Sequence, residues 1–303
     1  MNRKTTYIYK VFGLVVESEL ECPDLPLSSG IPDVRISFGK VPDSLESPLS
    51  KGVRFQAAPG EFLLKVDLVA RYHVKNGDSI TIQPFPNSND EDIRLFMLGS
   101  AFGALIMQRG LLPFHGSGIV IDNNGIIFSG VSGSGKSTLA GAFLQKGYSL
   151  ITDDVSVIEI REKTPFIHPG YPRMKLWRDS LKKLEQYDEN LPRVRKMLEK
   201  YRIDVTSKFV NEKVPLTTIY ILNASNKEGI ELKRLRGIEK FNALKNNTYR
   251  YNFIRGLQQE KLHFMYLSDI AGKLQVKKIT RTNRSFMIDE LRDLILKDIK
   301  NNG

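Results

Sequence analysis

Nine consecutive residues, Gly130 to Thr138, read Gly-Val-Ser-Gly-Ser-Gly-Lys-Ser-Thr, and they restrict the backbone more tightly than any other stretch of this chain. Glycines at 130, 133 and 135 permit turns that a Cβ would oppose. An apolar run, Ile126 to Ser129, precedes them, and Lys136 to Lys146 follows as a proline-free helix that Gly147 stops. Strand, tight turn and helix in that order aim successive backbone N–H groups, and the positive end of the helix dipole, at one point. Such a point suits a phosphate group. Gly130, Gly135, Lys136 and Ser137 also have the spacing G-x-x-x-x-G-K-[ST] of a phosphate-binding loop. Gly130, Val131, Ser132, Gly133, Ser134, Gly135, Lys136, Ser137 and Thr138 are therefore assigned to nucleotide binding. In such a loop the lysine reaches the β and γ phosphates and the serine hydroxyl ligates Mg²⁺, so ATP or another nucleoside triphosphate and Mg²⁺ are the expected cofactors. An ordinary Gly/Ser turn is the bland alternative, and it leaves the flanking strand and helix without a reason.

The route into the loop is informative too. Ser117 to Ile121 and Ile126 to Ser129 are apolar runs joined by Asp122-Asn123-Asn124-Gly125, a strong hairpin signal. The strand feeding the loop is thus expected to run antiparallel to its predecessor, unlike the parallel doubly wound sheets in which such loops usually sit. Upstream, Thr6 to Val16, Val34 to Phe38, Phe62 to Leu68, Arg71 to Val74 and Ser79 to Gln83 read as strands, with Asn76-Gly77 as a tight turn. Asp90 to Gln108 reads as a helix capped by Asn89 or Asp90, with Ile93, Phe96, Met97 and Ala101 on one face. These patterns predict a β-rich N-terminal domain over 1–88 and a nucleotide-binding and catalytic domain over 89–303. Within the latter, Tyr148 to Thr152 is a short strand and Asp179 to Tyr201 a helix interrupted at Pro192. Leu216 to Leu222, Ile230 to Leu235 and Gln275 to Ile279 read as strands, and Gly237 to Asn246, Gln258 to Gly272 and Ser285 to Ile299 as helices.

Composition narrows the setting. With 41% hydrophobic residues among 303, the chain can bury a sizeable core. No apolar stretch is long enough to span a bilayer, and Met1 to Lys10 carry no signal-peptide pattern. Cys22 is the sole cysteine, which rules out an intrachain disulfide and a cysteine-based zinc site. A cytoplasmic protein with no membrane partner is the expectation. The net charge of +11 resides in the second half: residues 1–150 hold 14 basic and 14 acidic residues, and 151–303 hold 31 and 20. Basic clusters include Arg193, Arg195, Lys196, Lys200 and Arg202, then Lys233, Arg234 and Arg236, then Lys277, Lys278, Arg281 and Arg284. They fit either an anionic partner or solvated helix faces. No zinc-finger spacing and no RNA-recognition aromatic signature accompanies them, so nucleic acid is disfavoured as a partner.

Near the loop stand further groups with chemistry to offer. Asp153-Asp154 close the strand Tyr148 to Thr152. A carboxylate there can hold Mg²⁺ or accept the proton of an attacking hydroxyl. Two in tandem allow both jobs, because neighbouring side chains on a strand point to opposite sides. A helix cap or turn is the structural alternative. His115, just before the hairpin, can hydrogen-bond a carboxylate or a phosphate oxygen.

Leu112-Pro113-Phe114-His115-Gly116-Ser117, the loop Gly130–Thr138 and Thr152-Asp153-Asp154 together resemble the HPr serine kinases, whose nucleotide fold is shared with ATP-dependent phosphoenolpyruvate carboxykinases. The resemblance implies an α/β (α+β) protein, a β-rich N-terminal region joined to a carboxykinase-like kinase domain. It implies Asp154 as catalytic base and Asp153 as an orienting or metal-supporting group, with His115 and Lys136 beside them and the metal on Ser137 and Asp153. Past the acidic pair this chain departs from HPr kinases: their signature segment, with its metal-binding glutamate, is replaced by Ile167-His168-Pro169-Gly170-Tyr171-Pro172-Arg173-Met174-Lys175-Leu176-Trp177. The departure removes the ground for inferring HPr as substrate, a reverse phosphorylase reaction or a hexamer, although a homo-oligomer of another kind stays compatible.

That stretch, with Asn247-Thr248-Tyr249-Arg250 and Leu262-His263-Phe264, is more similar to a branch of HPr-kinase-like proteins encoded with lasso-peptide machinery. Those enzymes phosphorylate a serine at the C-terminal end of a precursor peptide. The implied partner is a peptide or protein carrying the acceptor serine, a lasso-peptide precursor first, with an HPr-type protein or a free hydroxy amino acid as alternatives. A peptide end bearing a carboxylate favours guanidinium partners. Arg173, Lys175, Arg250 and Arg255 are accordingly candidates for substrate or phosphate, and the bland reading makes Arg173, Lys175 and the nearby Arg178 exposed cations around a Trp177 packed in the core.

Overall fold

The computed structural model describes residues 5–194, 198–226, 228–282 and 287–301; Arg195, Lys196, Arg284 and Ser285, named above, lie outside them. The chain is a mixed α/β protein of two compact units, Met1–Pro113 with Thr248–Ser268 and Phe114–Asn247 with Asp269–Gly303. Among the described residues no helix is long and apolar enough to cross a membrane.

The first unit is built on one sheet of strands β1 (Tyr7–Val11), β2 (Leu14–Ser18), β3 (Val34–Phe38), β4 (Ser50–Lys51), β5 (Phe55–Ala58), β6 (Glu61–Val66), β7 (Ala70–Lys75) and β8 (Ser79–Pro84). Their order is β1-β2-β3-β8-β7-β6-β5-β4. The run Thr6 to Val16 is broken into a hairpin, because Phe12 (φ 54°) and Gly13 (φ 80°) both turn left-handed. Asn76 (φ 50°) and Gly77 (φ 69°) form the expected tight turn between β7 and β8.

The helix expected over Asp90 to Gln108 is present in three pieces: α1 (Asp90–Phe96), a π-helical turn at Met97–Ala101, and α2 (Phe102–Gln108). The Asn89 side chain caps it, accepting the Asp92 backbone N–H at 2.8 Å. Tyr72 of β7 donates its hydroxyl to the Ile93 carbonyl at 3.0 Å, and Ile93, Met97 and Ala101 are buried. The segment 248–268 belongs to this unit as well. Phe253, 3% exposed, packs its ring 4.7 Å from Phe55 and 4.4 Å from Phe62. Compactness therefore places the boundary at Pro113/Phe114, whereas the sequence pattern placed it at 88/89. The reason is that the apolar face of α1–α2 lies against the N-terminal sheet.

The second unit opens on β9 (Leu112–Ile121), which turns at Asp122 (φ 47°) and Asn123 (φ 62°) into β10 (Asn124–Ser129). The hairpin is antiparallel as expected, with the turn two residues earlier than the Asn124-Gly125 pair. Then follow α3 (Lys136–Gln145), β11 (Ser149–Thr152), β12 (Val155–Arg161), β13 (Thr164–Ile167), β14 (Arg173–Trp177), α4 (Arg178–Lys183), β15 (Lys200–Asp204), β16 (Val214–Ser225), β17 (Ile230–Arg234), α5 (Gly237–Asn246), β18 (Gln275–Thr282) and α7 (Ile288–Lys300), while α6 (Glu260–Lys273) belongs to the first unit as far as Ser268. The main sheet runs β10-β9-β12-β13-β16-β18-β17, with β11 on β9 and a further parallel pairing of β10 with β16. Its core gathers Ile119, Phe128, Leu139, Phe143, Tyr220 and Leu291, all buried. Helix α3 is buried nearly all round, which its small residues Ala140, Gly141 and Ala142 permit.

One long expectation fails here. Asp179 to Tyr201 is no interrupted helix: α4 ends by Leu184, Glu185 turns to φ 53°, and Lys200–Asp204 pairs with β14 as a two-stranded hairpin. Asp188, Asn190 and Pro192 supply the turn chemistry that stops the helix. Strands β12 and β13 form where no element was expected.

Candidate functional site

Strand β10 delivers the chain into the glycine-rich loop, and the loop's shape depends on its glycines. Gly130 sits at φ 141°, and a Cβ there would lie 2.4 Å from the Leu222 carbonyl oxygen of β16, so no other residue fits. Gly133 (φ 82°) is different: nothing lies within 4 Å of where its Cβ would be, which leaves the inside of the loop open. Gly135 (φ 99°) caps α3 without a side-chain hydrogen bond. The first N–H groups of α3 therefore remain available to an anion. Ser134 Oγ is buried without a hydrogen-bond partner among the described residues.

Lys136, 7% exposed, donates its ammonium to the loop's own carbonyls, Gly130 at 2.9 Å and Val131 at 3.0 Å. Burial lowers its pKa from the ordinary lysine value, opposed by the charges of Asp154 and Asp153. The acidic pair meets this loop from β11. Asp153 Oδ1 accepts hydroxyl hydrogen bonds from Ser137 at 2.8 Å and Ser117 at 2.6 Å, while Oδ2 accepts the Lys175 backbone N–H at 2.9 Å. Its neighbour is aimed elsewhere, because Asp154 adopts φ 75° at the turn into β12. Asp154 Oδ2 lies 3.3 Å from Lys175 Nζ, and Oδ1 lies 3.6 Å from His115 Nδ1.

His115 Nδ1 also donates to the Asp154 carbonyl oxygen at 3.0 Å, which fixes the ring proton on Nδ1 because a carbonyl only accepts. Burial and the Lys136 charge lower the His115 pKa, opposed by the Asp154 carboxylate. Burial alone would raise the Asp154 pKa. The charges of Lys175, His115 and Lys200 prevail and bring it to about 2. The pair thus splits into one carboxylate tied into hydroxyls and one ionised carboxylate facing open space.

His115, Asp154 and the loop residues Lys136 and Ser137 line one solvent-open cavity of about 590 Å³, with Asp153 behind Ser137. Its other wall is the β14–β15 hairpin, which contributes Lys175, Trp177 and Lys200. The loop, His115, Asp153, Asp154 and Lys175 therefore come together in the second unit. Arg173 does not join them, since Asp204, its partner in the hairpin register, holds its guanidinium. Arg250 and Arg255 belong to the first unit, where both are exposed; the Arg250 guanidinium lies 5.5 Å from the Tyr249 ring centroid. Trp177 is 45% exposed and is no core residue.

Sequence reading missed three other groups. Ser117 lies two residues beyond His115 on the same strand, so the period-2 rule already placed both on one face. Lys200 pairs with Trp177 from 23 positions farther along the chain, and no local signal connects them. Arg281, read as part of a solvated cluster, points Nη2 to within 3.4 Å of the Ser134 carbonyl oxygen. Burial lowers its pKa.

The donor set suits a small hard cation. Ser137 Oγ and the Asp153 carboxylate are adjacent oxygens, and among the described residues no group of three or more His, Cys, Asp or Glu could hold a metal by itself. Mg²⁺ fits that pattern, since it binds through one or two carboxylates, keeps several waters and takes phosphate oxygens.

No protein-family model matches the chain, and no curated protein sequence matches it either. Among solved structures, the HPr(Ser) kinase/phosphatase from Coxiella burnetii is similar to it over 63% of this chain and 95% of that one, at 14% identity and a TM-score of 0.33.

Proposed function

We propose that this chain is a kinase that uses ATP with Mg²⁺ and transfers the terminal phosphoryl group to a serine hydroxyl of a peptide or protein. The C-terminal serine of a lasso-peptide precursor is the acceptor favoured by the resemblance of residues 168–177, 247–250 and 262–264. One observation carries the reading: Asp154, ionised and turned outward, shares a cavity with the lysine and serine of a phosphate loop. A nucleotide-binding switch needs the loop alone and gives such a carboxylate no task.

In this reading the N–H groups from Gly133 to Ser137 cradle the phosphates. Lys136 exchanges the Gly130 and Val131 carbonyls for the β- and γ-phosphate oxygens, where it offsets charge growing in the transition state. Ser137 and Asp153 would hold Mg²⁺, which when bound neutralises negative charge on those oxygens. Asp154 receives the proton of the acceptor hydroxyl, and Lys175 and His115 orient its carboxylate. A carboxylate of low pKa is a weak base. It suits a loose transition state, in which little nucleophilic bonding is needed before the proton leaves.

The test is incubation with ATP and Mg²⁺ and one acceptor at a time, followed by mass spectrometry. Acceptors are a serine-ended precursor peptide, the same peptide ending in alanine, an HPr-type protein and free serine. Phosphate on the serine-ended peptide alone is the expected result. Transfer to free serine alone would make this a small-molecule kinase, and hydrolysis that no acceptor stimulates would remove the transferase assignment.

A further inference from the structure

The wall facing the loop holds a residue that the transfer chemistry leaves without a task. Trp177 is the only tryptophan in the chain, and it is 45% exposed beside a polar cavity. A large aromatic surface left in water at that place lacks a packing reason.

Its position along the wall is specific. Lys175 and Trp177 are two residues apart on β14, so they project from one face of the strand roughly 7 Å apart. Lys175 touches Asp154 and marks the reacting end. Trp177 lies one repeat farther along, next to Ser180, whose hydroxyl is 2.7 Å from that of Thr138. In α3, Ser137 faces Asp153, while Thr138 is turned about 100° around the helix away from it. The wall thus leads from the acidic pair to Trp177 as a loop-bound triphosphate would lead from its γ-phosphate to its α-phosphate and nucleoside. Lys200, the cross-strand partner, holds its ammonium 5.8 Å from the indole centroid and lines the same cavity as the loop.

We infer that Trp177 is the seat of the nucleobase, its indole stacking on the base of the nucleotide held by the loop. The inference rests on the reading of the loop as a nucleotide site. Stacking uses the π-face that every base presents. Trp177 therefore supplies affinity with little choice between adenine and guanine. The acceptor hydroxyl keeps the opposite end, beside Asp154.

Fluorescence of the full chain, excited at the red edge where tyrosine no longer absorbs, reports this residue alone among the aromatic side chains. ATP, ADP and inorganic tripolyphosphate would each be titrated with Mg²⁺, with calorimetry in parallel. The expected result is binding of all three, with deeper quenching by ATP and ADP than by tripolyphosphate. Trp177→Ala should weaken ATP about 5- to 100-fold and tripolyphosphate by less than about twofold, and Trp177→Phe should restore most of the loss. Equal emission changes for ATP and tripolyphosphate would overturn the inference, as would equal weakening of both by Trp177→Ala. Quenching by the acceptor peptide alone would also overturn it. If calorimetry shows no binding of any of the three, the nucleotide reading falls first and takes this one with it.

Discussion

Two neighbouring aspartates meet different environments, and that difference is the chemistry of the site. Asp153 is tied to Ser117, Ser137 and the Lys175 backbone, while Asp154 is rotated out by its left-handed backbone toward Lys175 and His115. If Asp154 is the base, as proposed above, Asp154→Asn keeps the shape and removes the proton acceptor, so turnover should fall about 10²- to 10⁴-fold while ATP affinity changes little. Steady-state rates beside calorimetric binding would check this, and near-normal turnover would exclude the carboxylate as base. The pH dependence follows from the same surroundings. The Asp154 pKa falls from 3.8 to about 2 on folding. The stability it contributes is therefore fully present above about pH 4 and is lost as the pH drops toward 2. Acid titration of wild type and Asp154→Asn should show the variant lacking that part of the acid dependence. Between about pH 5 and 8 the pH–rate profile should carry no limb from Asp154. The loop, the aspartate pair and His115 were all legible in the sequence because each lies within a short motif. The orientation of Asp154 was not, since a positive φ at a non-glycine residue leaves no mark in composition.

Elements with strong local patterns were equally legible. The β9–β10 hairpin, α3, β18 and the Asn89 cap follow from turn chemistry, periodicity and capping. The β14–β15 hairpin was hidden, because its strands are far apart in sequence and its register is set by tertiary contacts such as buried Leu176 opposite buried Tyr201. Sheet and C-terminal helix are joined by a polar tie of the same long-range kind. Lys277 of β18, 4% exposed, lies 2.5 Å from Asp298 of α7, which also accepts the Tyr220 hydroxyl at 2.6 Å. From sequence its cluster fits either an anionic partner or a solvated face, and buried Lys277 serves neither. Asp298→Ala would leave a buried ammonium without its counter-charge and should destabilise the second unit by about 3–5 kcal/mol in chemical denaturation. A loss below about 1 kcal/mol would mean the pair is solvated in solution.

Both units are assembled from two separate stretches of chain, and this was the least legible property of all. A pattern of strands ending near Pro84 invites a cut at 88/89, but the N-terminal sheet also packs α1–α2 and the buried ring of Phe253. Gly256 comes so close that an added Cβ would sit 2.5 Å from Ala57 Cβ. Losing a buried aromatic such as Phe253 alone costs about 3–5 kcal/mol. A fragment 1–113 should accordingly melt without a cooperative transition and bind a hydrophobic dye, and 1–88 should behave worse. Cooperative melting of 1–113 at the temperature of the whole protein would refute the assignment of 248–268 to this unit. The same interleaving governs birth on the ribosome. The eight-stranded sheet emerges long before Phe253 has been translated, so a growing polypeptide carries an unfinished apolar face through most of its synthesis, a natural client for a holding chaperone.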